Sequence, residues 1–271
     1  MSGSINDPTP FGASPLALVT GASSGIGREL ARVFARNGFD LIIAAEDAGI
    51  TEAEAELRGV GGGVHAVRVD LRTPAGVDEL YAAAEKIGPL DAAALNAGVG
   101  QGGRFVDIDF DDDQSVIDLN VSSTVRLAKH VLRDMTRRGE GRVLITSSVA
   151  STMPGTYQAV YNASKSFLQS FAQAVQEELR ETEVTVTSLM PGPTDTNFFH
   201  RADMDDTNVG SSSKDDPAQV AEQGYQAMLK GSDKVAGGSM GSQAQAKLSG
   251  LLPDRLKAAL HRRMAAPGSG R

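Results

Sequence analysis

The chain has 271 residues, with 26 basic and 34 acidic side chains and a net charge of −8, a length that suits one large α/β domain or two small ones. It contains no cysteine, which excludes disulfides and thiolate chemistry, and its four histidines (His65, His130, His200, His261) lie too far apart for an HExxH-type metal pair. The acidic balance counts against a nucleic-acid or anionic-membrane binder, no apolar run approaches the roughly 18 residues of a membrane span, and no basic residue precedes Arg28, so a cytoplasmic protein is expected.

Residues 1–14 are small, polar and punctuated by proline, which predicts a loose arm. Apolar runs and amphipathic stretches then alternate. Leu16–Thr20 predicts a first strand, and Ile26 to Asn37 a helix with Leu30, Val33 and Phe34 on one face and Gly38 at its C-cap. Leu41–Ala45, Val64–Val69, Ala92–Leu95, Val143–Thr146 and Val184–Leu189 repeat the strand pattern with helix-sized segments between them. This spacing predicts an α/β fold, a three-layer doubly wound parallel sheet with helices on both faces and strands buried on both sides. No linker or repeat interrupts residues 15–264, which read as one domain.

Two stretches depart from the alternation. Residues 195–216 form a polar, aperiodic loop of the length of a lid. Residues 231–264 hold a possible strand at Val235–Ala236 and a basic helix around Arg255–Met264. Leu248, Leu251, Leu252, Leu256 and Leu260 form an apolar stripe interrupted at Pro253, with Lys257, Arg262 and Arg263 opposite. This extension is expected to pack on its own domain or on a partner subunit, and residues 265–271 to be a frayed tail.

Between the first strand and its helix stands Thr20-Gly21-Ala22-Ser23-Ser24-Gly25-Ile26-Gly27-Arg28. A glycine-rich turn there gathers backbone N–H groups and the positive end of a helix at one point, a cradle for a pyrophosphate. Gly21 permits the tight turn, Gly25 the approach of backbone to phosphate, and Gly27 the close packing of helix on strand. Glu46, nineteen positions past Gly27, stands near the distance at which an acidic residue binds a ribose.

TGASSGIG, LNAG (Leu95–Gly98), Asn120, Ser148 and YNASK (Tyr161–Lys165), in this order over roughly Leu16 to Asn197, resemble the short-chain dehydrogenase/reductases. The TGxxxGxG spacing is similar to that of the shorter, single-domain oxidoreductase branch. It departs from the TGxxGxxG of epimerases and dehydratases, which disfavours a lyase or isomerase. The resemblance implies a Rossmann-like fold, no metal, a homodimer or homotetramer, and NAD(P)-dependent hydride transfer on a small carbonyl or secondary alcohol. It implies that Ser23, Ser24 and Ile26 join the glycines at the phosphates and that Asp70 and Leu71 meet the adenine. Asn96, Ala97 and Gly98 would support the edge beside the adenine ribose, and Pro191, Gly192, Thr194 and Thr196 would hold the nicotinamide carboxamide. It also implies that Asn120 kinks its helix and binds a water that relays protons to Lys165.

Tyr161 and Lys165 are four apart, so on a helix they share a face. A phenol with a pKa near 10 is a poor base at neutral pH, and a neighbouring ammonium favours the phenolate. Tyr161 is therefore the expected acid/base, Lys165 its activator and a ribose ligand, and Tyr157, one turn earlier, a pocket wall. Ser148 follows the apolar run VLIT, at the sheet edge where open α/β folds bind ligands, and can donate to a carbonyl oxygen as charge develops on it. Ser147 points to the other face. A catalytically silent dinucleotide-binding regulator or scaffold is the alternative, and the joint presence of Ser148, Tyr161 and Lys165 argues against it. NAD(H) is expected over NADP(H), because Glu46 can accept from a ribose 2′-hydroxyl and repels a 2′-phosphate, and Ser24 stands where NADP-preferring relatives place a basic residue. Two departures stand out: NAD-preferring relatives carry an aspartate at the position of Ala45, and the closing strand lacks a DGG-like ending.

Overall fold

A computed structural model describes residues 15–243 and 253–270. The apolar runs become strands because each is covered from both sides. Along β1 (Leu16–Thr20), Leu16 and Leu18 join one core layer while Ala17 and Val19 join the other, as a side-chain period of two requires. The same division recurs along β2 (Asp40–Ala45) and β4 (Ala92–Leu95). With β3 (Val64–Arg68), β5 (Glu140–Thr146), β6 (Glu183–Pro191) and β7 (Lys234–Gly237) they form one parallel sheet in the order 3-2-1-4-5-6-7.

One face is covered by α1 (Gly25–Arg36), α2 (Gly49–Arg58) and α9 (Pro217–Leu229), whose Leu30, Phe34, Leu57 and Tyr225 are fully buried. The Tyr225 ring meets Phe34 edge-on at 5.2 Å, and its hydroxyl has no hydrogen-bond partner among the described residues. The other face is covered by α3 (Pro74–Ile87), α5 (Thr124–Arg138) and α6 (Ala159–Glu178). A helix α4 (Phe110–Ile117) precedes α5, short helices α7 (Phe198–Arg201) and α8 (Asn208–Ser211) lie within residues 195–216, and α10 (Asp254–Ala265) follows β7. Strand order reverses between β1 and β4, which opens a crevice at the C-terminal edge of the sheet.

The expected strand at Val235–Ala236 forms as β7, parallel to β6 with Leu189 opposite Val235. Other expectations need correction. β3 is an edge strand, so most of its side chains are only partly covered. In α10 the leucine stripe faces outward: Leu256 and Leu260 are exposed, and His261 and Ala265 are the buried residues. Residues 266–270 are not frayed, because Gly268 N donates to Asp206 Oδ2 at 2.8 Å and the Ser269 hydroxyl accepts from Asn208 N at 2.9 Å. The arm 1–14 and Leu248, Leu251 and Leu252 lie outside the described residues. Among the described residues, no helix is long and apolar enough to cross a membrane.

Candidate active site

The turn after β1 is fixed by backbone contacts. Gly21 N donates to Ala44 O at 2.8 Å, and Gly21 and Gly25 adopt φ of 68° and 55°, the left-handed region that glycine enters freely. A Cβ on Gly27 would lie 2.1 Å from the Gly21 carbonyl oxygen. Ser24 stands extended at the α1 N-cap and its side chain caps nothing, so the first-turn N–H groups receive no side-chain acceptor. Ser23 donates instead to Asp47 Oδ2 at 2.7 Å. Asn96 joins three strand ends: its N–H and that of Ala97 donate to Thr20 Oγ1 at 2.9 and 3.0 Å, and its Oδ1 accepts from Thr146 Oγ1 at 3.0 Å.

Glu46, Asp70 and Leu71 line one end of the cleft. The Glu46 carboxylate is already paired there with Arg72, which also donates to Ser115 Oγ at 2.7 Å and to Asp70 Oδ1 at 3.2 Å. The hydrogen bond to Glu46 raises the Arg72 guanidinium above its ordinary range. Arg28 pairs with Glu52 and Glu56.

At the other end Tyr161 sits in the first turn of α6 and Lys165 one turn on, both buried. The Tyr161 phenol lies beside Ser148, whose Oγ accepts from Ala150 N at 3.0 Å. Ser147 faces away and donates to Lys165 O at 2.9 Å. Lys165 Nζ donates to Thr146 O at 3.0 Å and lies 5.9 Å from the Tyr161 ring centroid. Burial pushes the phenol up to about 12, against the pull of the Ser148 hydroxyl, and pushes the ammonium down to about 8. The lysine turns to the last carbonyl of β5, and desolvation opposes the charged form of both groups.

Asn120 lies in a π-helical turn, Asp118–Ser123, that joins α4 to α5, so the expected kink takes the form of a wider turn, a feature frequent at functional sites. Its Oδ1 accepts from Val99 N, and its Nδ2 donates to Val99 O and Ser164 Oγ, all at 2.9 Å. A Cβ on Gly98 would lie 3.0 Å from Asn120 Oδ1 and 3.2 Å from Lys165 Nζ, so the two groups face one gap. Both amide hydrogens are used, which leaves a lone pair on Oδ1 as the free function.

Residues 195–216 cover this end. Thr196 rests on Gly25, where a Cβ would lie 2.8 Å from its Cγ2, and the Phe198 ring lies 5.1 Å from that of Tyr161. Asp215, which sequence reasoning missed, ties the Pro191–Thr194 loop to the turn after β7. Its N–H donates to Pro193 O at 2.7 Å, and its carboxylate accepts from Ser239 N at 2.9 Å and Ser242 Oγ at 2.6 Å. This knot stands where a DGG-like ending is missing. Tyr157 is also corrected: α6 begins at Ala159, so Tyr157 shares no helix face with Tyr161. It adopts φ 67° and packs beside Ala202, Met204 and Ala265, outside the cleft.

These walls enclose a cleft of about 780 Å³ lined by every expected site residue except Asn120, which lies behind Val99. Met153, Gln158, Phe199, His261 and Met264 line it too, and no motif in the sequence marks them. The residues present fit a dinucleotide: the α1 N-terminus is uncapped by side chains, and the buried Lys165 ammonium has one acceptor among the described residues for its three hydrogens.

The family model described as short chain dehydrogenase matches residues 15–207. Oxidoreductase UcpA of Salmonella typhimurium is 34% identical over 208 residues, covering 75% of this chain and 76% of its own. A short-chain dehydrogenase from Sphingobium yanoikuyae, solved in complex with NADPH, superposes with a TM-score of 0.77 at 28% identity, over 82% of this chain and 87% of that one. A short chain dehydrogenase/reductase from Burkholderia phymatum, in complex with NAD, has a TM-score of 0.80 over 93% and 96% of the two chains, and at 24% identity it bears on the fold alone.

Proposed function

The chain belongs to the short-chain dehydrogenase family and is an NAD(P)-dependent oxidoreductase, and we propose that Ser148, Tyr161, Lys165 and Asn120 handle the proton while a carbonyl or secondary alcohol exchanges hydride in this cleft. Gly21 to Gly27, Asn96 to Gly98, Lys165 and the Pro191–Thr196 loop would hold the dinucleotide, whose nicotinamide, when bound, supplies or accepts the hydride. Ser148 stands at the end of β5 and donates to the substrate oxygen. Tyr161, kept protonated by burial, gives its proton to that oxygen in reduction and takes it back in oxidation. Lys165 and Asn120 face the gap beside Gly98 and restore the proton from behind. The observation that carries this reading is the convergence of buried Ser148, Tyr161 and Lys165 in one cleft wall beyond the C-terminal edge of β5, with Lys165 one turn after Tyr161 on α6.

Tyr161→Phe keeps the ring volume and is expected to lose about 10²–10⁴-fold in turnover. Reduced-dinucleotide absorbance with a panel of ketones and alcohols measures it, and wild-type rates in the variant refute the assignment. NAD(H) is the proposed preference: both Glu46 and Asp47 line the ribose end, Arg72 is already ion-paired with Glu46 there, and Arg28 is taken up by Glu52 and Glu56 of α2. Side-by-side kcat/KM values decide it, and a higher value with NADP(H) overturns it. A homodimer or homotetramer in the cytoplasm is the proposed setting, which light scattering and fractionation test.

A further inference from the structure

The two residues that meet the substrate oxygen are joined by a short loop. Ser148 lies two residues past β5, Tyr161 sits in the first turn of α6, and residues 149–158 run between them along the cleft wall, with Val149, Ala150, Met153 and Gln158 in the lining. The loop contains Tyr157 in a left-handed conformation that a bulky side chain seldom adopts, so contacts from outside must hold it in place.

Gly103 N donates to Tyr157 O at 2.9 Å and the Tyr157 ring packs beside Ala202 and Met204, while α10 grips the residue before it. His261 Nδ1 lies 2.9 Å from Thr156 O, and the Thr156 hydroxyl donates to Ala258 O at 3.0 Å, so one loop residue is gripped at both its carbonyl and its side chain. His261 Nε2 lies 3.4 Å from Asn162 Nδ2, which also donates to Ala150 O and Met153 O at 3.2 and 3.3 Å. A carbonyl only accepts and an amide NH₂ only donates, so this setting selects the neutral ring with its proton on Nδ1. Burial lowers the imidazole pKa and favours the same form. His261 is 5% exposed, and with Met264 it still borders the cleft. The same C-terminal segment holds the opposite wall: Arg263 O accepts from Asn208 Nδ2 at 2.9 Å, and Asp206 Oδ2 accepts from Gly268 N at 2.8 Å.

We propose that His261 is a positioning and specificity-determining residue that fixes the 149–158 loop, so that the C-terminal segment closes the substrate end of the cleft from within the same chain. The proposal rests on the reading of this cleft as the site of carbonyl–alcohol chemistry. His261→Phe keeps the ring volume and removes both polar contacts, whereas His261→Gln keeps one donor and one acceptor. The probes are 2-butanone, acetophenone and benzil, graded in bulk. In His261→Phe the kcat/KM for benzil relative to that for 2-butanone is expected to shift by about tenfold, through KM, with kcat on 2-butanone near the wild-type value and dinucleotide affinity unchanged. Amide exchange over 149–158 is expected to speed up, and His261→Gln to restore both readouts. If His261→Phe fails to fold, Thr156→Val removes the bond to Ala258 O and is expected to move both readouts in the same direction. Unchanged exchange over 149–158 together with an unchanged benzil to 2-butanone ratio overturns the proposal. A wild-type protein that turns over none of the ketones or their alcohols sinks the functional reading instead, and loop exchange alone then decides the role of His261.

Discussion

At Gly27, in the dinucleotide half of the cleft, an added Cβ would lie 2.1 Å from the carbonyl oxygen of Gly21; at Gly100, behind the Phe198 wall of the substrate half, it would lie 2.4 Å from Cζ of Phe198. The first neighbour is main chain between a strand and a helix, and moving it displaces both. The second is the far end of a ring on two torsions, which can swing aside. At Gly27 the obstacle is thus backbone, which leaves no room for an added atom, whereas at Gly100 it is a side chain on a loop, which can be re-tuned. That division suits an enzyme that keeps one cofactor and changes substrates.

The sharpest test pairs the two glycines. Gly27→Ala is expected to cost at least about 1–3 kcal/mol of stability by overpacking and to abolish measurable dinucleotide binding. Gly100→Ala is expected to leave melting and dinucleotide affinity near the wild-type values and to change KM for the carbonyl substrate. Calorimetry and steady-state kinetics check both, and equal losses from the two would erase the distinction. A second test falls where the halves meet, at Lys165. Its folded pKa, about 8, lies below the ordinary 10.5. Below pH 8 the ammonium is charged in both states and the fold bears the whole cost of burying it. Between pH 8 and 10.5 only the unfolded chain is charged, and the cost fades as pH rises. Lys165→Met is therefore expected to abolish turnover and to raise the melting temperature most below pH 8, with the gain shrinking toward 10.5. Its size is bounded by about 3 kcal/mol, less the lost bond to Thr146 O. No gain at pH 7 would mean that the ammonium is better solvated than its burial implies.

What the sequence disclosed follows the same division. Strands covered on both faces need unbroken apolar runs, so Leu16–Thr20 and Ala92–Leu95 announce themselves. Gly21 and Gly25 were legible because their backbone angles are ones that glycine alone adopts freely, and Tyr161 with Lys165 because spacing places them on one helix face. Spacing does not say where a long side chain ends, and Lys165 Nζ reached Thr146 O in place of the phenol. Asp215, His261 and Met264 arrive on segments with no period. Amphipathicity marked two faces of α10 without telling which is buried, and the docking surface, a carbonyl and an amide, took the face with His261 over the one with Leu256 and Leu260.

Tyr225 bears on how far the substrate half can be altered. Its hydroxyl sits in the apolar layer between α9 and α1 with no partner among the described residues, while its ring does the packing. Removing the oxygen by Tyr225→Phe relieves a desolvation cost of about 1 kcal/mol at a site remote from the cleft, and a thermal melt measures the gain. A gain of that size is a reserve of mutational tolerance in the core for redesigning the enzyme's selectivity.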